Sequence, residues 1–261
     1  MRSIKAAFLA LLVAVPSTVS AQEIFHAIQS ANLPTAETLP QGSWLFEISH
    51  RFGPLNLGGE GLWGIDGPAN NRLGLAYAPH DRVLLALQRS NIDDNLGLNA
   101  KAGVWSGGSE GLPLKVALMA GAAVSTQPFE PGAEDNEAQL YGQILLNALL
   151  GGRFAVGVVP TYLHNRSLPD ASAEGAVAVG LHGQLYVTPS MSLLAEWLVS
   201  EATVARPHDP AAFGIEFETR GHFFKLIVTN QGLLNPTQFL GGAAEPDDWR
   251  FGFNITRILP F

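Results

Sequence analysis

The sequence predicts an all-β protein, a single closed antiparallel transmembrane β-barrel of about twelve strands addressed to the bacterial outer membrane. Three observations carry that expectation. Apolar residues recur with period two in one segment after another, the pattern of strands with one apolar-facing and one polar-facing side. The connections alternate between tight turns and long loops, as short periplasmic turns and longer outer loops do. The chain also opens on an export leader and closes on a strand ending in an aromatic residue.

Residues 1–21 read as a cleaved signal peptide: Arg2 and Lys5, an apolar run from Ala6 to Val15, and the small-residue processing site Val19-Ser20-Ala21. That run is too short for a transmembrane helix, and no later stretch of ~20 apolar residues is free of charge, so any membrane crossing must use strands. Loss of the leader removes two basic residues and makes the net charge of -8 more negative still, which argues against nucleic acid as a partner. The absence of cysteine excludes disulfides, thiolate metal sites and covalent haem attachment. Residues 22–42, whose only charges are Glu23 and Glu37, are expected as a periplasmic extension or as a partial plug folded into the lumen. The barrel itself is expected over residues 43–261.

The first strand, Trp44 to Arg51, sets Trp44, Phe46 and Ile48 against Glu47, Ser49 and Arg51. The next five are expected at about 71–78, 82–90, 95–105, 114–124 and 138–148. The other six fall near 153–163, 175–187, 191–200, 213–219, 223–229 and 249–259. Tight turns are read at Pro79-His80-Asp81, Gly151-Gly152, Thr188-Pro189-Ser190 and Arg220-Gly221-His222, with a longer one from Ser106 to Pro113. Between them lie the outer connections, at 52–70, 91–94, 125–137, 164–174, 201–212 and 230–248. In the last strand Trp249, Phe251, Phe253, Ile255, Leu259 and Phe261 share one parity, and Arg250, Gly252, Asn254 and Thr256 take the other.

The stretch Gly42 to Gly53 (GSWLFEISHRFG), continuing through Pro54-Leu55-Asn56 and Asn71 to Tyr77 (NRLGLAY), resembles a bacterial β-barrel family of unknown function whose members carry an S-H-R-F-G-P-x-N segment. The closing Phe251 to Arg257 (FGFNITR) is similar to the way those proteins end. The resemblance implies an outer-membrane barrel and transfers no catalytic residue.

If the apolar parity faces lipid, the opposite parity faces a lumen, because an outward Arg or Lys at mid-bilayer costs ~2–4 kcal/mol. The lumen then receives Glu47, Arg51, Arg72, Lys101, His182, Glu196, Glu216, Glu218 and Arg250, the candidates for setting its electrostatics, and is expected to be polar. These groups serve equally well as ion pairs filling a narrow interior, with Lys101 or Arg250 facing Glu216 and Glu218 across it. His182 is the candidate titrating group, or a hydrogen-bonded filler. Trp44, Trp197 and Phe261 are candidate interfacial anchors, and Phe52 a further belt residue. The outer loops are strongly acidic, with only Arg166 and Arg206 as basic residues, so the rim either concentrates cations or keeps an exposed surface solvated.

Motifs of chemistry carry little weight. Gly59, Gly61 and Gly64 fit G-x-G-x-x-G without a βαβ context. Gly107 to Gly111 fits G-x-S-x-G without the strand-to-helix turn that would expose Ser109 as a nucleophile. The seven histidines show no paired ligand spacing, and Asp93, Asp94, Glu134 and Asp135 make no twelve-residue calcium loop. No cofactor, metal or enzymatic activity is expected. The partners expected are outer-membrane lipid, lipopolysaccharide and the barrel-insertion machinery, reached through the terminal strand and Phe261. Two functions remain open: a narrow channel for small solutes or cations, and a closed barrel working through its surface loops as an interaction or scaffold protein.

Overall fold

The structure, a computed structural model, describes residues 23–126, 138–164, 175–201 and 206–259. The expected leader, Phe261, Glu134, Asp135 and Arg166 lie outside them. The described residues form a closed barrel of twelve antiparallel strands, each paired with its sequence neighbours. They are β1 (Trp44–Pro54), β2 (Asn70–His80), β3 (Val83–Ser90), β4 (Asn95–Ser109), β5 (Leu112–Ser125) and β6 (Gln139–Leu150). The second half comprises β7 (Phe154–His164), β8 (Gly175–Thr188), β9 (Met191–Ser200), β10 (Ala211–Thr219), β11 (His222–Thr229) and β12 (Arg250–Leu259). Closure comes from β1 against β12, with Trp44 opposite Leu259 and Glu47 opposite Thr256. A closed ladder leaves no unpaired strand edge, the condition for backbone to cross hydrocarbon.

Side-chain parity fixes which face meets lipid. Leu73, Leu75, Leu98, Val177, Trp197, Phe213 and Leu226 point outward and are exposed, while Glu47, Arg51, Arg72, Asn99, Lys101 and Asn254 alternate with such residues and are buried. So large an apolar exterior suits a bilayer and would promote aggregation in water.

Tight connections close one end of the barrel. Two-residue turns sit at 81–82, 110–111, 189–190 and 220–221, and a three-residue turn at 151–153. Gly151 and Gly152 both have positive φ, as does the Arg220–Gly221 pair, the conformation that matches a hairpin's twist. Even strand number brings the start of β1 and the end of β12 to this same end.

Three expectations need correction. The β4–β5 connection is not an eight-residue turn: pairing continues to Ser109 opposite Leu112, because small residues prolong the ladder past a bulge between Gly103 and Trp105. Residues 230–243 are not a rim loop. They turn into the barrel and bury Leu234, Asn235, Gln238, Phe239 and Leu240 around the short helix α1 (Pro236–Phe239), and only from Ala244 onward does the segment return to solvent. Nor is the lumen uniformly polar. The inner face of β5–β9 carries Ala117, Met119, Leu145, Val159, Leu163 and Leu198 in one apolar cluster, leaving most charges to the facing strands.

Candidate functional site in the lumen

The described part of the N-terminal segment lies inside the wall as a hairpin. Ile24 and Phe25 pack on Leu149 and Ala155 near the tight-turn end. The chain then climbs, forms a bridge between Gln29 and Pro34, and descends to Gln41, whose N–H donates to Asp81 Oδ1 at 2.7 Å. At the turn of this inner hairpin Ala31 packs among Leu194, Ala212 and Ile227 of the wall.

Polar side chains of the wall hold the hairpin mainly through its backbone. Lys101 Nζ donates to Ile28 O at 3.2 Å and to Thr35 O at 2.9 Å, tying its two arms together. Lys225 Nζ donates to Gln29 O at 2.5 Å and Ser30 O at 2.9 Å. Asn254 Nδ2 donates to Ala31 O at 2.7 Å, and Arg51 Nη2 reaches Asn32 Oδ1 at 2.9 Å. Glu196 accepts the backbone N–H groups of Asn32 and Leu33, each at 2.9 Å. On the apolar side Asn147 Oδ1 accepts from Ala36 N at 2.5 Å. Charge-assisted bonds of this kind are roughly twice as strong as neutral ones.

The remaining charges pair within the wall or with the hairpin. Arg72 pairs with Glu47, whose carboxylate also accepts from Gln29 Nε2 at 2.7 Å. Lys225 Nζ lies 3.1 Å from Glu216 Oε2, and Gln184 donates to the other oxygen at 2.6 Å. Glu218 meets His26 Nδ1 at 3.0 Å, and Lys115 pairs with Glu37. The carboxylates of β10 thus have a cross-strand neighbour and a hairpin histidine as partners. Lys101 and Arg250, expected opposite them, are engaged elsewhere, Arg250 with Asp248 at the long-loop end. Glu216 lies directly across from Lys225 in the β10–β11 register, a signal obtainable by counting back from the Arg220–Gly221 turn.

His182 is buried but not hydrogen-bonded: its ring stacks on Phe25 at 4.8 Å, and both ring nitrogens lack a partner. It fills space by stacking, and lies so close to Gly157 that a methyl group there would collide with the ring. Of the expected anchors, Trp44 lies at the tight-turn end, 4.7 Å from Tyr77, and Trp197 is exposed on the outer face of β9. Phe52 packs with His50 and Phe253 near the long-loop end. Ser109 occupies the exposed tip of the β4–β5 hairpin, a strand-to-strand turn that lacks the helix a nucleophile elbow requires.

From the opposite end the 230–243 segment descends to meet the hairpin. Arg72 donates to Leu234 O, Asn235 Nδ2 to Asn95 Oδ1 at 2.6 Å, and Arg206 Nη1 to Gln238 O at 2.8 Å. Leu33 and Ala36 of the hairpin share one apolar cluster with Phe239 and Leu240, so the two insertions touch at mid-barrel. A gap of about 10 Å³ remains between Leu33 and Phe239, and one of about 40 Å³ beside Lys101. The first has room for no more than about one water. Among the described residues the two insertions fill the mid-section, as the partial-plug alternative for residues 22–42 expected of the N-terminal one.

A family model described as "Membrane bound beta barrel domain (DUF5777)" matches residues 25–259. No curated protein matches the chain. Among solved structures, the chain is similar to a COG4313 outer membrane channel from Pseudomonas putida F1, at 16% identity and TM-score 0.49, covering 86% of this chain and 98% of that one. It is similar to the NanC porin at 8% identity and TM-score 0.50, covering 84% and 100%. An outer membrane phospholipase A from Escherichia coli, as an active-site mutant, aligns at 12% identity and TM-score 0.47 over 85% and 92%. At such identities the likeness is one of fold.

Proposed function

The chain belongs to the DUF5777 family of membrane-bound β-barrels and resides in the bacterial outer membrane, and from that premise we propose that it is a gated conduit for small polar solutes. The observation that carries this is the buried charge of the wall. Lys101, Lys225 and Glu196 spend their hydrogen bonds largely on a separate segment of chain, and Arg51 divides its own between that segment and the wall. A barrel that stayed closed could fill its interior with apolar residues at equal or lower free energy, because burying charges is expensive even when they are paired. The same groups would line a water path once the hairpin yields.

Selectivity in this reading rests on Glu47, Arg51, Arg72, Lys101, Glu196, Glu216, Glu218 and Arg250. Arg51, Arg72, Lys101 and Lys225 stand against Glu47, Glu196 and Glu216 in the mid-section, a mixture that favours zwitterionic or neutral polar solutes over bare cations. Exposed Glu60, Asp66, Glu245 and Asp247 still draw cations toward the outer mouth. Export through the cleaved leader and insertion through the strand ending at Phe261 belong to the same proposal. No reaction is assigned to the barrel.

Conductance of the refolded mature protein in planar bilayers across a salt gradient tests it. Discrete openings whose ion selectivity shifts in Arg250→Gln support the conduit. A barrel whose gel mobility shifts on heating, showing that it is folded, and which stays silent favours the second reading, a surface interaction protein. The filled mid-section is the observation on that side.

A further inference from the structure

The inner hairpin is held in an unusual way for a packed segment. Along residues 28–36 the wall mainly reads N–H and C=O groups, with the side chains of Gln29 and Asn32 adding bonds to Glu47, Arg72, Glu196 and Arg51. Ser30 Oγ has no hydrogen-bond partner, and Ala31 and Ala36 have no polar side-chain group to offer. Cationic donors lie opposite the carbonyls of Ile28, Gln29, Ser30 and Thr35, and a carboxylate lies opposite the N–H groups of Asn32 and Leu33. Donors and acceptor are thus spaced for the main chain of a peptide turn.

We infer that the inner wall is a binding site for peptide main chain, occupied in cis by residues 28–36, and that the solutes of the conduit are short peptides. The inference rests on the proposed gating, since a peptide reaches the wall only when the hairpin yields. Lys101, Lys225 and Asn254 then accommodate peptide carbonyls or a terminal carboxylate, and Glu196 takes an amide N–H or a terminal ammonium. A sugar presents neither the alternating amide pattern nor the charged ends that this set matches. The apolar wall of β5–β9, which faces Leu33 and Ala36 now, gives room to apolar side chains of an incoming peptide.

The chain has no cysteine, so Ser30→Cys introduces a single thiol at a position that is 1% exposed. The rate at which a water-soluble thiol reagent modifies the refolded full-length variant reports how often the hairpin opens. Triglycine, which offers main chain and termini alone, is expected to raise that rate saturably, by about tenfold at saturation. The same variant with Glu196→Gln should react faster without peptide, and triglycine should raise its rate by a smaller factor. Glucose and acetate at equal concentration should leave the rate unchanged. Triglycine without effect, or glucose with the same effect, overturns the peptide site. If the thiol is inert to triglycine while gated openings appear in bilayers, the conduit stands and the peptide specificity falls. If the thiol stays unreactive under every condition and the bilayer is silent, both fall.

Discussion

Glu196→Gln should unseat the turn of the inner hairpin while leaving the barrel folded. In the native chain one carboxylate accepts two backbone N–H groups, those of Asn32 and Leu33, both at 2.9 Å. Both reach Oε1, so a glutamine oxygen keeps them without the charge, while its amide nitrogen replaces Oε2 and points N–H at the Asn32 N–H and Nδ2 groups that Oε2 accepts. Hydrogen bonds to a charged group contribute about 1.5–3 kcal/mol each. Losing the charge from two bonds, at about 1 kcal/mol each, removes about 2 kcal/mol from the closed state, so open states should gain roughly thirtyfold in population. The wall loses little, because Glu196 directs its hydrogen bonds to the hairpin and its strand keeps full pairing with β8 and β10. Open probability in planar bilayers is the assay, with heat-dependent gel mobility as the check on folding. A folded Glu196→Gln barrel whose openings are no more frequent than those of the parent would refute the idea that these bonds hold the conduit shut.

Three further perturbations probe different levels of the structure. Lys225→Met strands the Glu216 carboxylate in a site where both side chains are 1% exposed, and should cost about 3–5 kcal/mol in denaturant unfolding, most of it recovered by adding Glu216→Gln. Gly157→Ala would drive a methyl group into the His182 ring and Asn147, displacing the stack on Phe25 and destabilising the fold by about 1–3 kcal/mol; His182→Ala in the same chain should relieve most of that loss. Leu98→Arg, at an outward position 60% exposed, should lower folding stability in lipid vesicles by about 2–4 kcal/mol, whereas Glu110→Arg in the tight turn should have little effect.

The wall of the barrel was readable because lipid imposes a rule on every second residue. Phe46, Leu75, Leu98, Val179 and Phe251 obey it, so strand number, order and inward set followed from parity alone. Gly107 to Ser109 misled at β4 because small residues look like a turn, yet with Pro113 and Leu112 opposite they continue the ladder. The interior was much less readable. Residues 28–36 are held largely through main-chain groups, which leave no side-chain signature, so their sequence does not mark Lys101 or Lys225 as partners. The Gly, Pro, Asn and Gln of residues 230–243 resemble an exposed loop; Leu234, Phe239 and Leu240 were the signal that part of it is buried. The pairing of Glu216 with Lys225 was available from hairpin register, whereas that of Glu218 with His26 required knowing where the N-terminal segment lies.

The most direct measurement locks the hairpin in place. Ala31 and Ala212 belong to one packed cluster, one on the hairpin and one on β10, and neither carries a polar side-chain group that holds the segment. A disulfide between Ala31→Cys and Ala212→Cys in this otherwise cysteine-free chain should silence the barrel in planar bilayers when oxidised and restore openings on reduction. Openings that persist unchanged in the oxidised protein, or a folded barrel silent in both redox states, would contradict a conduit gated by its own N-terminal segment.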